Sequence, residues 1–372
     1  MAFDTGRPSF RLFYLQQQYD SSLVEEFAKH AVQPLSTIKT EPITGWVTGR
    51  HLLDRNITDE RCVIGPYLHL QLLKAEKKIP GSLLTAHRKM EEEVEMKARE
   101  VHTLSRKAKS EVKQRVIASL MPQMPPTLSG IPVVVDFRND RLVAGALGDQ
   151  QIDRLSPAFK EAAGTMPILV TASTAAMKRK QVNVRDLEGV SFSPDPNVEP
   201  PVECTLGMDF FTWLWFNWEV NGSVFHLPNG HEAGYMLEGP VTFFRDGEGA
   251  HEALLRNGQP LDGDEAMVAL FCGKKLKRAK FVLAVDKDAI SATVDADFSF
   301  RSVKLPKSEM EEEEGQFEER MMRIELFCDA WFTLFDRFLD LRTDAKAWNR
   351  TLSAMREWIA KGVAGSPVSD PA

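Results

Sequence analysis

The chain has 372 residues and a mass of 41.9 kDa, which suits two or three compact domains better than a single core. Hydrophobic residues make up 43% of it and charged residues 27%, which excludes wholesale disorder as well as collagen-like and low-complexity sequences. Lys and Arg total 46 against 53 Asp and Glu, so only a local basic patch, and not the net charge of −7, can indicate nucleic-acid binding.

No stretch of the chain is apolar over the roughly 18 to 20 residues that a membrane-spanning helix needs, and no secretory signal is visible at the N-terminus. The four cysteines are widely scattered and form no CxxC pair, which argues against a zinc knuckle and fits a reduced compartment. We therefore expect a soluble cytoplasmic protein without membrane contact.

The first half of the chain predicts two α+β parts separated by a helical arm. Residues 1–78 mix short β-like runs with an amphipathic segment, which is typical of a small α+β unit. Residues 83–121 contain no Gly or Pro and are rich in helix-forming residues, which predicts a long helix or a helix pair. Their apolar stripe is too thin for burial on all sides, so residues 79–122 are expected to project as an arm.

Residues 123–200 predict the central α+β part, with a hairpin at Val133–Ala144 and a helix near Gln150–Ala163. A proline-rich run from Ser193 to Pro201 then indicates a linker and a domain boundary. The following segment, Leu206–Val220, is apolar nearly all round, which predicts a helix buried in a core.

Residues 201–372 predict a C-terminal α+β lobe. Residues 235–244 and 279–305 alternate as strands do, residues 316–341 form a long amphipathic helix, and a loose tail is expected beyond Gly362. The fold class is therefore α+β: an elongated, multi-lobed chain with antiparallel sheets, a projecting helical arm and a C-terminal helical segment.

The common catalytic motifs are absent from the sequence, which has no P-loop, no GxSxG, no HExxH and no GxGxxG that opens a helix. His226, His231 and Glu232 surround a turn and offer too few ligands for a metal. Asp136 and Asp140 flank a strand end where nucleases carry metal-binding acids, but no third acid or lysine accompanies them at such spacing. We therefore expect no catalytic residue, no metal and no cofactor.

A dense basic cluster lies before one of the C-terminal strands. Five of the eight residues from 273 to 280 are basic and none is acidic: Lys274, Lys275, Lys277, Arg278 and Lys280. Alternation along a strand puts this charge on both faces, which requires water or phosphate on both sides. Arg301 and Lys304 are close enough in sequence to join the patch. The alternative is a solvated edge that prevents edge-to-edge pairing.

A second basic segment lies on the arm. Residues 99–115 carry six basic residues against two acids, and Arg106, Lys109 and Lys113 fall along one helical face. The acids are concentrated elsewhere, in Glu91–Glu93 and Glu311–Glu314, so charge is segregated as expected if one surface meets phosphates. A solvated helix with pairs of opposite charge four residues apart is the alternative.

Several short motifs occur in an order that resembles the bacterial recombination-associated RdgC family. In chain order they are Gly45-Trp46-Val47, Ile79-Pro80 at the start of the arm, Leu120-Met121-Pro122 at its end, the Val133–Ala144 hairpin, Gly273-Lys274 before the strand with Arg278, and Ser299–Leu305. The resemblance spans roughly residues 1–305. It implies a nucleoid-associated protein without enzymatic activity, forming a ring-shaped homodimer that passes duplex DNA through a positively lined hole and restrains RecA-driven strand exchange.

The resemblance also implies a set of DNA contacts. Lys274, Arg278, Arg301 and Lys304 match basic family positions, and Lys275 and Lys277 add charge that the motif does not demand. Together with the arm residues, the predicted DNA-binding set is Lys274, Lys275, Lys277, Arg278, Arg301, Lys304, Arg106, Lys109 and Lys113. No base-reading motif is recognisable, which favours sequence-independent binding to duplex DNA. Two alternatives remain: a metal-dependent nuclease that uses Asp136 or Asp140, and a scaffold whose helix 316–341 binds a protein.

Overall fold

Two antiparallel sheets organise the chain, and the strands of each come from one part of the sequence. The computed structural model describes residues 3–38, 41–247, 249, 251–286 and 288–364. Both sheets are purely antiparallel and helices pack against them, so the α+β class predicted from the sequence is confirmed. None of the described helices is long and apolar enough to cross a membrane.

The first sheet has the strand order β2-β4-β5-β6-β1-β7, with the short β3 paired to β4. Its strands are β1 (Arg11–Tyr14), β2 (Ile43–Thr48), β3 (Val63–Ile64), β4 (Tyr67–Lys77), β5 (Pro126–Asp136), β6 (Arg141–Ala144) and β7 (Ile168–Leu169). The helices α1 (Leu23–Lys29), α2 (Asp59–Cys62), α5 (Asp149–Ala163) and α6 (Ala172–Lys180) accompany it, whereas α3 and α4 form the arm.

The arm is an insertion between two paired strands. β4 and β5 pair without interruption from Tyr67 opposite Asp136 to Lys77 opposite Pro126. The chain leaves at Lys77, forms α3 (Gly81–Ala98) and α4 (Arg106–Leu120), and returns to Pro126. The two helices share a small apolar cluster of their own, so the prediction of a helix pair is confirmed. No residue of α3 is fully buried, which agrees with a projecting arm.

The second sheet has the order β10-β9-β11-β12-β13, with β8 paired to β9. Its strands are β8 (Val224–His226), β9 (Glu232–Phe244), β10 (Glu252–Leu255), β11 (Lys275–Val285), β12 (Asp288–Asp295) and β13 (Phe300–Lys304). Its helices are α7 (Leu206–Asn221), α8 (Asp264–Phe271), α9 (Glu313–Thr343) and α10 (Ala345–Ala364).

One face of the second sheet carries a large aromatic core. The ring of Trp331 on α9 lies 5.1 Å from that of Phe210 on α7, and 5.3 Å and 5.9 Å from those of Phe281 and Phe300 on the sheet. Such edge-to-face contacts add to the free energy gained by burying the rings. α7 is therefore a core helix, as its apolar composition predicts.

Helix α9 joins this core to the first sheet through a row of ion pairs. Its acidic residues pair with cations in the β5–β6 turn, at the start of β6 and at the end of α6. The pairs are Glu325 with Arg138, Asp329 with Arg141, Asp336 with Arg179, and Asp340 with Lys180. The chain itself also connects the sheets, because Phe10, just before β1, exchanges backbone hydrogen bonds of 2.8 and 3.0 Å with Phe300 of β13.

The structure departs from the sequence-based expectation at several points. Helices α2, α6, α8 and α10 were not predicted. Gly362 lies within α10, so the loose tail does not begin there, and residues 365–372 lie outside the described residues. In the proline-rich run, Ser193 donates a 2.5 Å hydrogen bond to the carbonyl of Phe271, so this run is fastened to α8. The proposed domain boundaries stay predictions.

A partly buried acid, Glu325, lies where α9 meets the first sheet. Glu325 accepts hydrogen bonds from the Tyr67 hydroxyl at 2.7 Å and from Arg138 Nη2 at 3.1 and 3.2 Å. Burial, and then a hydrogen bond shared with Asp136, raise the pKa of Glu325 from its ordinary value of 4.5 to about 7.

This raised pKa predicts that the junction weakens as the pH rises. The folded-state pKa lies above the ordinary value, so ionising Glu325 costs more in the folded chain than in the unfolded one. The free energy of unfolding should therefore fall between about pH 4.5 and pH 7. Glu325→Gln should gain stability relative to wild type at pH 8 but not at pH 5, measured by urea unfolding. Equal free energies of unfolding for the two proteins at pH 8 would contradict this role of Glu325.

Candidate nucleic-acid interface

The face of the second sheet that points away from the aromatic core carries a basic surface. Ala279, Phe281 and Leu283 of β11 point into the core and are fully buried, so the residues that alternate with them point outward. The register places one outward row across four strands: Glu238, Lys280, Thr293 and Arg301. Lys304 lies opposite Ser291 and is exposed. Lys280, Arg301 and Lys304 therefore share one face.

Acidic neighbours pair with part of this surface. Lys280 lies 2.5 Å from Glu238, and Lys277 lies 2.9 Å from Glu252 while it covers the ring of Phe244 at 4.5 Å. These side chains are more than a third exposed, and ion pairs of this kind contribute about 0 to 1 kcal/mol. A phosphate can therefore displace the acids at little cost.

Two lysines of the surface are unpaired within the described part of the chain. Neither Lys274 nor Lys304 forms an ion pair or a side-chain hydrogen bond with any described residue. Lys304 is exposed, and Lys274 is half-buried just before β11. Their charges are available to a polyanion without the loss of an internal contact.

Arg278 and Arg301 meet on one buried carboxylate. Nε of each arginine donates a hydrogen bond to Asp295, at 2.8 Å for Arg301, and Ser299 donates a third from its hydroxyl at 2.8 Å. Burial alone would raise the pKa of Asp295, but these three hydrogen bonds outweigh it and hold the pKa below its ordinary value. Asp295 is therefore an ionised anchor for both arginines.

Lys275 departs from the prediction that it faces water or phosphate. It is 4% exposed, and its ammonium pairs with the fully buried Asp209 of α7 and donates to the Thr205 hydroxyl at 2.7 Å. A register shift between Leu276 and Arg278 interrupts the simple alternation of β11. The side chain of Lys275 therefore belongs to the α7 contact, and we do not count it among the candidate DNA contacts.

The arm carries the second basic surface. Arg106, Lys109 and Lys113 of α4 are exposed, and within the described residues none of them forms an ion pair, whereas Arg115 pairs with Glu95 at 2.7 Å. Arg106 and its neighbour Lys107 lie in the first turn of α4, which holds no acid. Cations there oppose the helix dipole, so helix stability does not account for them.

The structure adds two cations to those predicted. Lys280 belongs to the basic run in the sequence but not to the predicted contacts, and its outward position follows only from the strand register. Arg11 is 4% exposed beside the surface and pairs with Asp297. Burial first, and also the charge of Arg301, lower the pKa of Arg11. Arg11 is an isolated arginine at the start of β1, so nothing in the sequence indicates that it lies beside this surface.

The two acids considered for a nuclease, Asp136 and Asp140, lie at the β5–β6 turn, and Asp136 accepts hydrogen bonds within it. Asp136 accepts hydrogen bonds from the backbone of Arg138 at 2.9 Å and from the Asn139 side-chain amide at 2.7 Å. Asp140 is a turn residue with a φ of 48°. His231 lies 3.3 Å from Asp286 instead of forming a ligand set with His226. No group of three potential metal ligands occurs among the residues that the structure describes.

Comparison with known proteins identifies a family for part of the chain. Residues 9–181 match the model of the RdgC family, which is described as "Putative exonuclease, RdgC". None of the curated proteins compared with the chain matches it. The match confirms, for residues 9–181, the resemblance to this family that the motifs predict. It covers the first sheet, the arm and α6, and it ends before the second sheet, so the basic surface of β11 and β13 lies outside the matched residues.

The contrast between Lys275 and Lys277 predicts very different costs for the same substitution. Lys275→Ala leaves the carboxylate of Asp209 buried without its cation, which should lower the free energy of unfolding by about 3 to 5 kcal/mol. Lys277→Ala breaks an exposed ion pair and an exposed contact with the ring of Phe244, and should cost about 1 kcal/mol. Urea unfolding of both variants measures the difference, and equal costs would contradict the assignment of Lys275 as structural.

Proposed function

We propose that the chain binds duplex DNA without sequence preference, through contacts to backbone phosphates. The observation that carries this proposal is the register of the second sheet, which gathers Arg278, Lys280, Arg301 and Lys304 on one outward face. These residues come from two strands that a third separates, so the surface is a patch and not a single charged edge. Such a patch suits phosphates spaced along a duplex.

The distribution of charge supports this proposal better than the net charge does. The chain carries a formal charge of −7, but several of its acids are engaged elsewhere, in the α9 row that pairs with the first sheet. Lys274 and Lys304 remain unpaired within the described residues. Segregated charge of this kind produces a local positive potential on an acidic protein.

The arm supplies a second surface for the same ligand. Arg106, Lys109 and Lys113 project from a pair of helices that pack on a small apolar cluster of their own. Unlike the sheet surface, this one lies within the residues that match the RdgC family. We propose that both surfaces contact DNA, within a ring-shaped homodimer that encircles the duplex and restrains RecA-dependent recombination.

The name of the family model raises the exonuclease as the competing function. Metal-dependent hydrolysis of a phosphodiester needs carboxylates that converge on a metal and a positioned water. The acid nearest to such an arrangement is Asp136, whose neighbour Glu325 is already engaged by Tyr67 and Arg138. This geometry favours a structural role for both acids, and we propose a DNA-binding protein without enzymatic activity.

The first test is a titration of duplex DNA across salt concentrations. If about six phosphates are neutralised, log K should fall with log salt with a slope near −5. Lys280→Glu combined with Lys304→Glu should weaken binding about tenfold or more for every DNA sequence, because phosphate contacts carry no sequence information. Lys346→Glu combined with Lys361→Glu on α10 changes the net charge equally outside the two surfaces and serves as the control.

The same titration separates the alternatives. DNA binding that is independent of salt, or that the double α10 variant weakens as much as the sheet variant does, would contradict the proposed surface. Linear and supercoiled DNA incubated with Mg²⁺ should remain intact. Cleavage that disappears in Asp136→Asn would establish the nuclease instead.

The second test concerns the oligomer. A chain that encloses a duplex as a ring needs a partner, and closed twofold dimers are the commonest assembly. Light scattering after size exclusion should therefore give about twice the chain mass of 41.9 kDa. A monomer throughout the micromolar range would contradict the ring and leave a protein that binds DNA only as a patch.

A further inference from the structure

We propose that Arg278 and Arg301 form a clamp for a single phosphate group, and that Asp295 is the positioning residue of this clamp. The inference rests on the proposed function, since it assigns a phosphate-binding site within the proposed DNA surface. It goes further by stating which atoms bind the phosphate and by giving an acidic residue a favourable role in anion binding.

The orientation of the two guanidinium groups is the first argument. Each arginine uses Nε for Asp295, one on each carboxylate oxygen: Arg278 on Oδ1 and Arg301 on Oδ2. The terminal nitrogens, Nη1 and Nη2, of both make no hydrogen bond with any described residue. Both side chains are about 40% exposed. The terminal nitrogens are therefore available, and paired terminal nitrogens are what binds a phosphate in bidentate fashion.

The rigidity of the anchor is the second argument. The side chain of Asp295 is 8% exposed, and the turn that follows it is fixed by backbone hydrogen bonds from Ala296 to the Lys277 carbonyl and from Phe298 to the Asp295 carbonyl. α7 packs directly on this turn, because a Cβ at Gly207 would lie 2.0 Å from the carbonyl oxygen of Ala296. Arginines held in this way lose less conformational entropy on binding than free ones.

The local charge is the third argument. Two guanidinium groups share one carboxylate, which leaves one positive charge, and the nearby Arg11 is balanced by Asp297. A surplus of one matches a singly charged phosphodiester.

The clamp also has room for its ligand. A cavity of about 460 Å³ is lined by Arg278, Arg301 and Asp295, with Lys277 and Phe244 on its wall. This volume accepts one phosphate together with part of the attached sugar. Lys277 is held on the ring of Phe244 and adds a further donor at the cavity edge.

The effect of Asp295→Asn on DNA affinity distinguishes the clamp from simple charge attraction, because the two predict changes of opposite sign. If only net charge matters, Asp295→Asn removes an acid and should strengthen DNA binding. If Asp295 positions the arginines, the same variant should weaken binding several-fold although the surface becomes more positive. The melting temperature and circular dichroism of the variant show whether it is folded.

A second pair of variants tests the clamp without touching the buried anchor. Arg278→Lys combined with Arg301→Lys keeps both charges but removes the planar fork. We expect DNA affinity to fall about tenfold, whereas Arg350→Lys on α10, the matched control, should leave it unchanged. Affinity equal to wild type in the double variant would overturn the clamp.

Inorganic phosphate separates failure of the clamp from failure of the proposed function. At equal pH and ionic strength, replacing chloride by 50 mM phosphate should raise the Tm of wild type by about 1 to 2 °C more than that of the double Lys variant. Non-specific stabilisation by phosphate affects both proteins equally. Such a difference without DNA binding would keep the clamp and reject the proposed function, whereas salt-dependent DNA binding with equal Tm shifts would reject the clamp alone.

Discussion

The contact between α9 and the two sheets is the interaction on which the rest of the structure depends. One side of this helix places Trp331 in the aromatic core of the second sheet, where it meets rings from α7, β11 and β13. The other side offers acids to cations of the first sheet, among them Arg138 and Arg179. The sheets are therefore held together by one helix with two chemically different faces, and both basic surfaces are positioned by it.

The fate of each cation in the second sheet depends on which of its nitrogen atoms the buried carboxylate binds. Asp209 of α7 is fully buried and pairs with the ammonium group of Lys275. This charge therefore lies in the interior and not on the surface. Asp295 is also buried but receives two arginines through Nε, which leaves their terminal nitrogens outside. The same residue type therefore removes one cation from the surface and presents two others on it.

Much of the fold is predictable because its elements follow strong periodic patterns. The amphipathic repeat of residues 316–341 and the alternation in 279–305 correspond to α9 and to the strands β11 to β13. Helices α2, α6, α8 and α10 were not predicted, and α2 has only 4 residues. α6 and α8 have only 9 and 8 residues, which are too few to show a clear helical period. α10 begins one residue after α9 ends, so its pattern is not separated from that of α9 by a recognisable break.

The candidate site is less predictable because it depends on partners that are distant in the sequence. The basic charge of residues 273–280 is evident from the sequence. Asp209, the partner of Lys275, lies 66 residues away and is not. A signal was present, since Asp209 is the acid in the first turn of a largely apolar helix, and a buried carboxylate needs a cation. The outward position of Lys280 required the register of three strands, which no local pattern contains.

The base of the arm is rigidly connected to the first sheet. Its two helices leave and enter a continuous β4–β5 ladder, so the base of the arm is fixed to the first sheet by paired backbone from Tyr67 to Lys77. The β13 surface is fixed to the same sheet through the hydrogen bonds between Phe10 and Phe300. A polyanion that contacts both surfaces therefore meets a preset spacing, and the contacts of α9 with the first sheet, among them those of Glu325 with Tyr67 and Arg138, help to hold it.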